Sequence, residues 1–349
     1  MTIFTVGPVM MYPETLQIEG TQLPYFRTEE FGQLMKDIER DFLKSVHAPE
    51  GTFFIGLTSS GTGAMDAAVQ NVLTPEDKVL VINGGTFGER FAKITRNHGI
   101  PTDTYDIPFL HAFSKDEFEK FSGKGYTALL VNACDTSTGQ LFDLDYLADF
   151  CRRNDCLFIV DAVSAYLADP IDMARQEIDV LLTASQKALA LSPGVALVAL
   201  SEKARERCSG GSYYFDFNSY IENQKRGQPP FTSAVGTMLA LHQRLESIMA
   251  KGITAENDLH RSRAEYFRNA VKDLPVEIPD IPLSNSVTPL IFPQKNASEV
   301  YRRLSGDYDL YLTPSGGDWK DVQLRVGHLG NLTTADYDNL LDKLRIILG

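Results

Sequence analysis

Between about residues 50 and 200, short apolar runs alternate with stretches whose apolar positions recur every three or four residues. The runs are Lys78 to Asn83, Tyr126 to Ala133, Cys156 to Ala162, Asp179 to Ser185 and Gly194 to Leu200. They are apolar throughout instead of alternating, as strands buried on both faces are. Between them lie amphipathic stretches, Gly63 to Leu73, Gly88 to His98 and Asp143 to Asn154. The last opens on an acidic cap and gathers Leu144, Leu147, Ala148 and Cys151 on one helical face. Strand, helix, strand in this order predicts an α/β fold with a mostly parallel sheet covered by helices.

The pattern changes in the tail. A long helical periodicity runs from Ser233 to Val271, with a break near Gly252, and a Pro-punctuated segment follows at Pro275, Pro279 and Pro282. Shorter strand candidates then occupy SVTPLIF, YDLYLT and VQLRVGHL, with helices around Ala297 to Leu304 and Thr334 to Leu348. This is the pattern of a smaller α+β layer. We therefore expect a large domain over 16–252 and a small C-terminal domain over 253–349, with 1–15 packing near the active site.

Composition narrows the function classes. Across 349 residues the chain is 43% hydrophobic and 23% charged, the balance of an ordinary globular protein. Its formal net charge of −13 repels nucleic-acid phosphates and anionic lipid heads, so neither is an expected partner. Cys134, Cys151, Cys156 and Cys208 form no CxxC pair, and no His stands at zinc-ligand spacing, so no metal site is expected. The first residues lack a basic region followed by a long apolar stretch, and no run reaches the roughly 18 apolar residues of a membrane span. The expected compartment is the cytoplasm.

Open parallel sheets bind ligands beyond the carboxyl ends of their strands, so the residues that follow each run carry the chemistry. GGTFGER follows KVLVIN, CDTSTG follows YTALLVNA, CLFIV runs into Asp161, and DVLLTA runs into Ser185-Gln186-Lys187. Ahead of the first helix sits SSGTGA, Ser59 to Ala64. Alone, that segment is a loop and a cap, yet free N–H groups and the helix dipole also suit an anion. It is neither a P-loop nor GxGxxG. Asp161 alone could cap a turn, whereas a lysine is costly at a strand end inside an α/β core unless it works. Lys187 follows Asp161 by about one helix and one strand. A reactive lysine, a carboxylate, an anion seat and a flat wall at Phe87 are the four requirements of pyridoxal 5'-phosphate.

At SSGTGAMDAA, NGGTFGER, CDTSTG, VDAVSAY, TASQKAL and LRVGHLG the chain resembles the class V, fold-type I pyridoxal-phosphate aminotransferases. Within them it is similar to the alanine– and serine–glyoxylate aminotransferases, with 2-aminoethylphosphonate–pyruvate transaminase nearby. The resemblance covers essentially the whole chain. It implies that Ser60, Gly61 and Thr62 hold the phosphate, that Phe87 stacks on the pyridine ring and that Thr136 sits at the ring's polar edge. It further implies that Asp161 keeps the ring nitrogen protonated, that Gln186 bonds a phosphate or phenolic oxygen and that Lys187 forms the Schiff base. Arg325 would clamp the substrate α-carboxylate, and Thr232 of one subunit would reach the phosphate of the other, in a homodimer.

Two segments depart from that pattern. Where many relatives carry a His-Arg pair, this chain reads Phe26-Arg27-Thr28-Glu29-Glu30-Phe31, and Pro229 stands where a Tyr is common. The reaction implied is a two-stage transamination between a small amino donor (alanine, serine or aspartate) and glyoxylate or pyruvate. The alternative is 2-aminoethylphosphonate transamination, whose enzymes show Asn where this chain has Gln186. A lyase or desulfurase would carry His before the lysine and a late mobile Cys, and the last cysteine here is Cys208. A non-catalytic binder would not need all four cofactor requirements. Arg27, Arg90 and Arg226 are candidate second anion contacts, though surface arginines are more often simply solvated.

Overall fold

The structure, a computed structural model, describes residues 1–349. Seven strands form the main sheet: β1 (Phe53–Thr58), β2 (Val79–Asn83), β3 (Thr102–Asp106), β4 (Ala128–Asn132), β5 (Leu157–Asp161), β6 (Val180–Ala184) and β7 (Val195–Leu200). Their order across the sheet is β1-β7-β6-β5-β4-β2-β3. Only β7 runs antiparallel, against both β1 and β6, so the sheet is mostly parallel as the alternation of strand and helix predicts. The five apolar runs become β2, β4, β5, β6 and β7. Along β4, Leu129 and Val131 join one core while Ala128 and Leu130 join the other, which is why the run has no polar face.

Helices flank that sheet on both sides. The first after β1 is α1 (Gly61–Val72), and α2 (Thr86–Asn97) follows β2. Helix α3 (Leu144–Asn154) is capped by Asp143, whose Oδ1 accepts from the Tyr146 N–H at 3.1 Å, and Leu144, Leu147, Ala148 and Cys151 are all buried. The long periodic stretch divides into α4 (Val235–Lys251) and α5 (Ile253–Ala270) at Gly252, whose φ of +92° an L side chain rarely adopts. A buried ion pair, Arg244 to Glu256 at 2.8 Å, joins the two helices across this break.

Strands β8 (Val287–Ile291), β9 (Thr313–Pro314) and β10 (Gln323–Gly327) make a small sheet in the order β8-β10-β9. Helices Ala297–Tyr308 and Thr334–Leu348 cover it, and Phe292, Leu304, Leu324 and Leu340 fill a third core. The N-terminal segment ties this layer to the main sheet. Thr2–Ile3 pairs with Leu310–Tyr311, Phe4 is buried in the third core, and Val6 and Val9 are buried in one of the cores against the main sheet. Two strands fall outside the five runs, the edge strand β3 and the antiparallel-paired β1. No helix is long and apolar enough to cross a membrane.

Candidate active site

At the carboxyl ends of the parallel strands lies a cavity of about 220 Å³. Eight of the expected cofactor contacts line it: Ser60, Gly61, Thr62, Phe87, Thr136, Asp161, Gln186 and Lys187. Their convergence follows from the topology. Ser60 and Thr62 open α1 after β1, Phe87 opens α2 after β2, and Asp161 ends β5. Lys187 lies three residues beyond β6, the strand paired with β5.

Two titratable groups face this space from buried positions. Burial pushes the Asp161 carboxyl up to about 6, against the pull of the Val163 N–H at 2.8 Å and the Asn132 amide at 2.6 Å. Burial likewise pulls the Lys187 amine down to about 8, and the charges of Arg325 and Arg90 add to the effect. The amine donates to the Val6 carbonyl. Next to Val6, Gly7 lines the cavity with φ +124°, and a Cβ there would meet Lys187 Cδ at 2.7 Å. The N-terminal segment thus lies against the lysine stem.

The aromatic wall is held from a neighbouring loop. Gly85 offers no side chain to cap α2, and Asp135 Oδ2 accepts instead from the N–H groups of Phe87 at 3.2 Å and Gly88 at 3.1 Å. Ser137 Oγ accepts from the Thr86 N–H at 3.0 Å and donates to Asp135 Oδ1 at 2.6 Å. Thr136, between them, shares its hydroxyl with Ser164, another cavity residue.

Arg325 and Thr232 are not in the lining. Arg325 stands behind Thr136, donating through Nη1 to its carbonyl at 3.0 Å and through Nη2 to the Pro314 carbonyl at 3.0 Å. Its Nε is buried without a partner, and burial pulls the guanidinium down to about 10. Thr232 is exposed on the surface. The three remaining arginines separate. Arg90 lines the cavity, while Arg27 and Arg226 line a different cleft of about 610 Å³ with no apolar residue in its wall. Such a cleft offers no flat surface to a ring.

The fit to pyridoxal phosphate rests on what the cavity leaves open. Gln186 Oε1 is buried without a partner, and Asp161 is a buried carboxylate with no cation paired to it. At the start of α1, Ser60 Oγ accepts from the Gly63 N–H at 3.3 Å, and the Gly61 and Thr62 N–H groups beside it have no intrahelical acceptor and border the same space. A phosphate suits the helix end and a ring cation suits Asp161, while the Lys187 amine in the same cavity suits a carbonyl.

Comparison with known proteins gives the family. The family model for class-V aminotransferases matches residues 22–304. An uncharacterized aminotransferase of Methanocaldococcus jannaschii is 30% identical, over 93% of this chain and 86% of that one. The L-aspartate–glyoxylate aminotransferase of Paracoccus denitrificans is 28% identical over 95% and 87%. Among solved structures, a subgroup IV aspartate aminotransferase of Thermus thermophilus superposes with a TM-score of 0.93, at 25% identity and covering 100% of this chain and 99% of that one.

Proposed function

The chain belongs to the class-V aminotransferases, of fold-type I, and from that premise we propose that it uses pyridoxal 5'-phosphate to move an amino group from alanine, serine or aspartate to glyoxylate or pyruvate. One observation carries this reading: a buried lysine amine and a buried carboxylate face one cavity that begins at a helix N-terminus. When bound, the cofactor supplies an electron-poor ring that takes up the electron pair released as a substrate Cα bond breaks.

The chain's own residues do the rest. Lys187 Nζ, pulled down to about 8, is uncharged in a useful fraction of molecules near neutral pH, so it can attack a carbonyl and later take and return the α-proton. Asp161 holds the proton on the ring nitrogen and is itself held by Asn132 and Val163. Ser60, Gly61 and Thr62 seat the phosphate, Phe87 provides the flat wall, and Gln186 and Thr136 bond the polar edge. Arg325 clamps the substrate α-carboxylate, its Nη1 leaving the Thr136 carbonyl that it holds in the free protein.

We place the active site at a homodimer interface, with Thr232 reaching the partner's phosphate. An exposed aromatic patch supports this. Tyr213 is 87% exposed and Tyr214 37%, and both rings lie against Phe231, one residue before Thr232. Four free cysteines suit the reducing cytoplasm. A donor panel with glyoxylate and pyruvate tests the reading. We expect a small α-amino acid to be fastest, and 2-aminoethylphosphonate outrunning all of them would overturn the donor class.

A further inference from the structure

Arg90 follows Phe87 by three positions in α2, so the two share a helix face. Its guanidinium carbon lies 4.5 Å from the centre of the Phe87 ring. Nη1 donates to Thr62 Oγ1 at 2.7 Å, linking the second turn of α2 to the first turn of α1. No carboxylate neutralises it, since the adjacent Glu89 turns to Lys93 at 2.7 Å.

The seat at Ser60, Gly61 and Thr62 contains no cation of its own, and a phosphate ester dianion leaves water reluctantly without one. Backbone N–H groups and a helix dipole supply only partial charges. Two cations line the cavity, Lys187 and Arg90, and the amine of Lys187 is committed to the chemistry. We propose that Arg90 is the charge partner of the cofactor phosphate seated on Ser60, Gly61 and Thr62. Its bond to Thr62 Oγ1 uses one of five donors, and it leaves the hydroxyl proton free to turn toward the anion. The stack on Phe87 holds the guanidinium plane in place. This inference rests on the pyridoxal-phosphate reading above.

Comparing two ligands that differ only by the phosphate isolates the claim. The apoprotein and its Arg90→Gln and Arg90→Lys variants are titrated with pyridoxal phosphate and with pyridoxal, followed by visible absorbance, and each apoprotein is also melted. Arg90→Gln should weaken pyridoxal phosphate about 10- to 100-fold while pyridoxal changes by less than about twofold, and Lys should fall between. Inorganic phosphate should raise the melting midpoint of the wild type more than that of the Gln variant. An equal loss for both ligands would show that Arg90 merely holds Phe87 and Thr62, and unchanged affinities would remove it from the site. Unchanged affinities with a selective loss of aspartate turnover would assign it to the substrate instead. Each of those overturns the inference alone. A wild type that binds no pyridoxal phosphate overturns the cofactor reading, and this inference with it.

Discussion

At the scale of single residues, the site places two ionisable groups where neither is at ease alone. Lys187→Ala should abolish turnover and the visible band of the cofactor-loaded protein, and borohydride trapping with peptide mapping should put the cofactor's mass on Lys187 in the wild type. A label on Lys203 or Lys225 would refute the assignment. Asp161→Asn separates function from stability. In the apoprotein the carboxyl is raised to about 6 by burial. Well below its ordinary value it is protonated whether the chain is folded or not, and it costs nothing; above about 6 it is ionised in both, and the folded chain carries the whole penalty. The wild-type apoprotein should therefore gain less stability from a rise in pH than the variant, and Asn should stabilise it by about 1 to 3 kcal/mol at about pH 8. That advantage should shrink toward about pH 4, while turnover of the loaded variant falls steeply. Urea melts of the apoproteins at several pH values check the first half. Lys187 and Asp161 were legible in sequence because a lysine or aspartate ending an apolar strand violates the burial pattern. Asn132 and the Val6 carbonyl were not, because each acts through a partner distant in the chain, and Arg90 was one of three candidate anion contacts until its bond to Thr62 set it apart.

At the scale of elements, the same sheet that was readable as five apolar runs hides two of its strands. Strand β3 reads Thr-Asp-Thr-Tyr-Asp because it is the one of the sheet's two edges with no buried residue, where polar side chains meet water and no apolar run is needed. Strand β1 is as buried as its neighbours, yet nothing local distinguishes the antiparallel pairing of β7 with it from a parallel one. The loop after β4 shows what such long-range geometry does for the site. Asp135 closes the N-terminus of α2 in place of a local cap, so the Phe87 wall is fixed by a residue from another connection. Asp135→Ala should cost about 1 to 2 kcal/mol of stability. It should also weaken pyridoxal, through the loosened ring wall, and pyridoxal phosphate by at least the same factor, since Arg90 leans on the same Phe87 ring. Loss confined to the phosphorylated form would place Asp135 in the anion site instead. The Thr-Ser-Thr-Gly run that follows it reads as turn chemistry from sequence, and only the fold discloses whose N–H groups that turn accepts.

At the scale of the molecule, the cavity built by one chain does not include that chain's own Thr232, which lies exposed beside the Tyr213–Phe231 aromatic cluster. If two chains complete each other's sites, catalytic defects on different chains should complement. A protomer carrying Lys187→Ala supplies an intact Thr232, and one carrying Thr232→Glu supplies an intact lysine. Glutamate at that position sets a carboxylate against the phosphate, and like charges at close range disfavour binding. Either variant alone should therefore be inactive or nearly so as a homodimer. In a mixed dimer, the site with Lys187 on one chain and Thr232 on the other is wild type, and its twin carries both defects. Random co-assembly makes about half of the dimers mixed with one working site each, so activity should return to about a quarter of the wild-type level. Co-expression with two different tags, followed by tandem purification, isolates the mixed species and raises the expected value to about half. Mixed dimers that form but stay inactive would show that Thr232 serves its own chain's site or none. A Thr232→Glu homodimer with normal affinity for pyridoxal phosphate would remove the residue from the phosphate seat altogether.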